Sequence, residues 1–231
     1  MGHSRGHRAR AAGPSGGDVL DLLDWRRRVA ALYADVRAAD APRAAHDLWR
    51  RGRDDLFAHH PQSPLTDEAR AGFGGLPVAP YDPDLRFDVA VEPAPEEAGP
   101  STWTARTGSD GDVPFTRVGV VRLPGLGALD VWWLGSYGGG IFLPVRDAAP
   151  DTYGGGRYVL DTVKGADLGG GRRARPAGSA RDVRAGRLVV DLNFAYNPSC
   201  AYSPAWTCPL PPAGNTLTVA LPGGERTPPY T

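Results

Sequence analysis

From about residue 85 onward the apolar residues of this chain stop recurring every three or four positions and begin to alternate in short runs. That change of period decides what the chain can fold into. Runs rich in β-branched and aromatic residues fall at roughly 85–92, 101–106, 116–123, 127–134, 141–146, 156–163, 187–194 and 216–221, with turn residues between most of them. About eight strands in this span predict a mainly β domain over 85–231, an antiparallel barrel or a sandwich. The 31 glycines and 23 prolines are nearly a quarter of the 231 residues. Such a load suits short strands and tight turns better than long helices.

Upstream the period is helical. Asp18 is an N-cap for a helix in which Val19, Leu22, Leu23, Val29, Leu32, Tyr33 and Val36 recur at three- and four-residue steps. One face of that helix must be buried. A second helix follows Pro42, carries Ala45, Leu48, Trp49 and Leu56 on its apolar side, and stops before His59-His60-Pro61. The short connection around Asp40 makes an N-terminal helical hairpin. The Pro- and Gly-rich stretch from Ser63 to residue 84 is expected to wrap the surface, which makes 18–84 a helical hairpin and linking segment. Residues 1–17 lack any periodicity and read as a disordered tail. The Gly- and Arg-rich segment 165–185 reads as a mobile hairpin loop.

Charge narrows the partners. The formal net charge is zero, but Arg5, Arg8 and Arg10 lie in the first ten residues, which leaves 26 acidic against 23 basic groups in the rest. A body of that balance is not built to grip nucleic acid. Lys164 is the only lysine, which removes most candidates for Schiff-base chemistry. No window has the apolar length to cross a bilayer, so neither a membrane nor a secretory route is expected. Cys200 and Cys208 are the only cysteines. They form no disulfide framework, and two reduced thiols in the cytoplasm are the simplest assignment. A zinc site needs four ligands, and the five histidines, at 3, 7, 46, 59 and 60, all lie outside the β region. No metal and no cofactor is therefore expected.

Candidate chemistry concentrates on two runs. In Arg187-Leu-Val-Val-Asp-Leu-Asn-Phe-Ala-Tyr196, alternation puts Arg187, Val189, Asp191 and Asn193 on one face and Leu188, Val190, Leu192, Phe194 and Tyr196 on the other. In Arg157-Tyr-Val-Leu-Asp161 it groups Arg157, Val159 and Asp161. If the runs are neighbours, Arg157 and Asp191 meet as a charge-assisted pair. A barrel with a polar interior uses such a face to hold a ligand, whereas a half-exposed sheet merely solvates it. Two near copies, Ser136-Tyr-Gly-Gly-Gly-Ile-Phe and Thr152-Tyr-Gly-Gly-Gly-Arg-Tyr, precede strand-like sequence and lack the Gly-Lys-Ser/Thr ending of a phosphate loop. They read as glycine turns or bulges. No Gly-x-Ser-x-Gly elbow supports a serine nucleophile.

The ordered series Ile141-Phe-Leu-Pro-Val-Arg-Asp147, Thr152-Tyr-Gly-Gly-Gly-Arg-Tyr158, Leu188-Val-Val-Asp-Leu-Asn-Phe-Ala-Tyr-Asn-Pro198, Cys200-Ala-Tyr202, Cys208-Pro-Leu-Pro211 and Asn215-Thr-Leu217 closely resembles the bacterial and archaeal domain of unknown function 1684. Upstream, the helix containing Trp25, Ser63-Pro-Leu65 and Phe73-Gly-Gly-Leu76 extend the resemblance, which spans roughly residues 20–226. The tail before Asp18 and the 165–185 insertion stand outside that pattern, and Asp147-Ala-Ala-Pro-Asp-Thr152 replaces a more Thr/Ser/Gly-rich turn. The resemblance implies no established activity. It places a common site, if the family has one, at the polar residues of the shared phrases: Arg146, Asp147, Tyr153, Arg157, Asp191, Asn193, Tyr196 and Asn197. Two readings then compete. Those residues hold a small polar ligand, or they lock the fold through a buried network. The enzymatic alternative is a hydrolase or lyase with Asp191 as general base and Tyr153 or Tyr196 positioning substrate. A third is a protein-interaction module whose helical hairpin docks through an exposed stripe containing Trp25 or Trp49.

Overall fold

The computed structural model describes residues 16–96, 99–107, 111–171 and 186–229. Residues 1–15 of the expected tail, and 172–185 of the expected mobile loop, lie outside the described residues.

Helix α1, Gly16–Ala38, begins two residues before the expected cap, so Asp18 sits in its first turn, facing the positive end of the helix dipole. Helix α2, Pro42–His59, starts where its proline costs no hydrogen bond. The two pack through Leu32, Tyr33, Val36, Ala45 and Trp49, and Trp49 Nε1 donates to Tyr33 Oη at 3.1 Å. The apolar face of α1 is covered only from Trp25 onward. Val19, Leu22 and Leu23, expected inside, are exposed together with Leu20. A short helix α3, Asp67–Ala71, follows, capped by Thr66, whose side chain accepts from Ala69 N.

The linking stretch does more than wrap the surface. Leu65, Leu76, Ala79 and Tyr81 are buried. Pro77–Ala79 pairs with the far end of the described chain: Ala79 N donates to Gly224 O at 3.0 Å and Arg226 N to Pro77 O at 2.7 Å, around a Val78–Glu225 bridge. Backbone polar groups buried there need such partners.

The strands are β1 Arg86–Ala90, β2 Thr102–Thr107, β3 Gly111–Leu123, β4 Gly127–Leu134, β5 Gly140–Val145, β6 Arg157–Asp161, β7 Gly170–Gly171 and β8 Arg187–Asp191. They form two antiparallel sheets, β1-β8-β7 and β2-β3-β4-β5-β6. Among the described residues no continuous ladder closes them into a barrel. The sheets are linked by the single bridges Glu92–Val120 and Tyr158–Tyr196, because β3 spends its first half on β2 and is irregular between Arg117 and Gly119. The strand expected at 216–221 does not form. That segment makes one parallel bridge, Thr216 with Arg146, and two further backbone bonds, then drives Leu217 and Leu221 into the core. Both glycine-rich copies are turns leading into β5 and β6, closed by Gly139 N to Ser136 O at 3.0 Å and Gly156 N to Tyr153 O at 2.8 Å.

Both faces of the five-stranded sheet carry a buried apolar cluster. On one, Val121, Leu129, Val131, Leu143, Val145 and Val159 join the helices and the smaller sheet in the largest apolar cluster. On the other, Trp103, Phe115, Trp132, Phe142 and Tyr158 form an aromatic row. Trp49 is fully buried and lies 5.2 Å from the Phe194 ring, where α2 meets the chain just past β8. We predict that Trp49→Ala costs about 3–5 kcal/mol. A urea titration followed by circular dichroism should show the midpoint fall while the slope is kept.

Candidate functional site

Seven of the eight polar residues singled out in the sequence fall into three groups rather than one hollow. The first surrounds the segment Pro222–Arg226. Arg157 is fully buried on β6; its Nη2 donates to Asp147 Oδ2 at 2.8 Å and its Nη1 to the carbonyls of Gly223 at 2.6 Å and Glu225 at 3.0 Å. Asp147 is fixed in turn by Leu221 N at 3.2 Å and Ala149 N at 2.9 Å. Glu225, also fully buried, accepts from Arg53 Nε at 2.8 Å on one oxygen. Its other oxygen accepts from Tyr202 Oη and from Asn197 N, both at 2.7 Å. The guanidinium of Arg53 lies over the rings of Trp49, Phe57 and Tyr196, the last at 5.0 Å. Asn197 Nδ2 donates to Arg226 O at 2.7 Å.

Two glycines make this closeness possible. Gly224 has φ +80°, and a Cβ there would stand 2.6 Å from Ala195 O. Gly156 has φ +83°, and a Cβ there would stand 2.4 Å from Pro211 Cγ. Side chains are excluded at both positions by contact as well as conformation.

The second group is Asp191 and Asn193. The expected pair of Arg157 with Asp191 does not form, because β6 ends the larger sheet while β8 is the middle strand of the smaller one. Nor does pleat alternation bring Asp191 and Asn193 together. Asp191 Oδ1 accepts from both Asn193 N, at 3.1 Å, and Asn193 Nδ2, at 2.7 Å, which ends the strand in a 3-10 turn over Leu192–Phe194. Asp191 Oδ2 accepts from Arg86 at 3.2 Å. Burial raises the Asp191 pKa, opposed by the hydrogen bonds from Asn193 and Arg86. Asn193 Oδ1 accepts from Asp82 N at 2.8 Å, and its Nδ2 also donates to Asp82 O at 2.7 Å. Both oxygens of the candidate base are thus occupied by the chain itself.

His46 completes this corner. It lies among the rings of Trp49, Tyr81 and Phe194, and its Nε2 donates to Asn193 O at 3.1 Å. Burial lowers its pKa below the ordinary 6.5. The unfolded chain therefore binds the proton more readily, so stability is complete above that value and is lost as pH falls below it. We expect parent stability to drop between about pH 6.5 and 5 and His46→Gln to flatten that slope in chemical denaturation at several pH values.

Tyr153 belongs to a third group. Its hydroxyl donates to Cys200 Sγ at 3.7 Å. Burial first, then the Cys200 thiol, raises its pKa to about 12. Arg146 stands apart from all three. Its backbone bonds to Asn215 and Leu217 and its side chain is half-buried. Trp49 is buried, and half-buried Trp25 packs beside Phe57.

Arg53, Glu225 and Tyr202 escaped the sequence reading. Arg53 sits in a run of charges on α2 that reads as a wet helical face, and its partner lies 172 positions away. Only the place of Tyr202 at the end of the Cys200-Ala-Tyr202 phrase offered a signal.

The model of the family described as "Protein of unknown function (DUF1684)" matches residues 71–226. The chain belongs to the DUF1684 family. The solution structure of an uncharacterized protein of Haloarcula marismortui is 30% identical, with a TM-score of 0.49, covering 77% of this chain and 90% of that one. Among curated proteins none matches this DUF1684 chain. Its helices include none long and apolar enough to cross a membrane among the described residues.

Removing one partner of a buried ion pair strands the other, whereas removing both relieves the desolvation cost. Arg157→Met is expected to lose about 3–5 kcal/mol. The double variant Arg157→Met, Asp147→Leu should regain part of that loss in equilibrium unfolding.

Proposed function

We propose that the chain binds a small polar molecule beside the Pro222–Arg226 segment, with Arg157 and Asn197 as the residues that meet it. One observation carries the reading. Arg157 Nε and Asn197 Oδ1 are buried and find no hydrogen-bond partner among the described residues. Buried polar atoms of that kind demand a partner from outside the chain, a water or a ligand. The Tyr158–Tyr196 bridge brings Arg157 and Asn197 to adjacent positions on two segments, so a donor and an acceptor are offered side by side. A molecule carrying at least one acceptor and one donor suits them.

The same proposal takes the two sheets as sandwich-like and assigns the protein to a reducing, cytoplasmic setting, in keeping with its two free thiols. The general-base alternative at Asp191 has less support, since Asn193 and Arg86 already occupy its oxygens.

A thermal-shift screen with a panel of metabolites tests the reading. At a hundredfold excess over its Kd a true ligand adds about 2.7 kcal/mol, a shift of several degrees for a chain of this size. Asn197→Ala and Asn197→Leu should keep the fold and lose that shift. A panel with no stabilising compound, or variants stabilised as strongly as the parent, rejects the proposal.

A further inference from the structure

The Pro-punctuated loop after Asn197 carries the two cysteines of the chain, and both of its ends are pinned. Cys200 lies in a 3-10 turn, Ser199–Ala201, followed at once by Tyr202, whose hydroxyl is held by buried Glu225 at 2.7 Å. Cys208 is followed by Pro209, whose carbonyl accepts from the buried Tyr158 hydroxyl at 2.6 Å. Each sulfur is thus one or two residues from a fixed point, while Trp206 between them is exposed. The two thiols are neighbours, with Cys208 as donor to Cys200, and Cys200 Sγ also accepts from the Tyr153 hydroxyl at 3.7 Å. Both remain half-buried and reduced, so solvent reaches them.

That arrangement assigns unequal roles. Donors converge on one sulfur and stabilise its anion, chiefly the Cys208 thiol, which lowers the Cys200 pKa to about 6. The same bond pushes Cys208 well up, so it keeps its proton; Lys164, whose ammonium lies 5.9 Å from the Tyr158 ring, opposes this only weakly. A nucleophilic sulfur beside a protonated one is the layout of a peroxide-reactive cysteine and its resolving partner.

We propose that Cys200 and Cys208 are a reversible dithiol–disulfide site closed by hydrogen peroxide. The Cys200 thiolate attacks one peroxide oxygen, the O–O bond breaks, and hydroxide leaves and takes a proton to become water. Cys200 is then a sulfenic acid. The Cys208 sulfur attacks that sulfur, an S–S bond replaces the S–O bond, and the departing hydroxyl leaves with the Cys208 proton as a second water. Two thiols and one peroxide give one disulfide and two waters. Two molecules of a small thiol reopen the bridge by exchange and are themselves oxidised to their disulfide.

The test treats the reduced full chain with hydrogen peroxide. Intact mass should fall by two hydrogens without added oxygen, and peptide mapping should join residue 200 to 208. Cys208→Ser should instead accumulate a dimedone-trapped sulfenic acid at Cys200, and Cys200→Ser should react at least about tenfold more slowly. Added oxygen without a bridge, linkage between chains, or equal reactivity of the two variants overturns the proposal. If either variant fails to fold, limited iodoacetamide labelling of the parent at pH 7 decides. Cys200 should be modified at least about tenfold faster than Cys208, and equal labelling overturns it.

Discussion

The fold turns on the burial of two arginines against one stretch of backbone. Arg157 and Arg53 reach Pro222–Arg226 from opposite elements, a strand of the larger sheet and the second helix, and each finds its carboxylate there or beside it. A guanidinium buried without a counter-charge is costly, so neither residue is tolerable until that segment is in place. The desolvation cost of each pair offsets much of its attraction, so the pairs add little to net stability while the loss of either partner is costly. The linking stretch pairs with the same segment on its free edge. Helices, sheets and link are thus tied at a single point.

Around that point the larger sheet is asymmetric. Its aliphatic face is shared with the helices, and its aromatic face is roofed by the Pro-rich loop. Asn215 nails the roof down, accepting from Trp132 Nε1 at 2.7 Å and donating to the carbonyls of Asp130 and Pro144 at 2.8 and 2.9 Å. Its amide oxygen and both amide hydrogens are engaged internally, which makes it a fastener. Arg157, Arg146 and Asn197 differ in keeping one buried atom unmatched. The same roof that Asn215 secures also makes the two thiols neighbours.

The sequence revealed elements better than connections. Seven of the eight alternating runs lie on strands, because a strand half-buried on a sheet leaves a period of two in its residues. Thr216–Leu221 imitates that pattern without a ladder, since its neighbours Arg146–Ala148 offer only a short edge. The Asp191 and Asn193 alternation was real in sequence and overridden in space by a side-chain bond to backbone that periodicity does not encode. Burial of the polar phrases was expressed in their residue types, but their partners were not. Charge complementarity over 172 positions leaves no local trace, so Arg53 and Glu225 became a pair only in three dimensions.

That separation bears on how the molecule comes into being. During synthesis, the second helix emerges with Arg53 long before Glu225 has been joined to the chain. Until then the cation has no counter-charge to offset its burial. Closing a contact across 172 positions is a long-range step of the kind that slows folding.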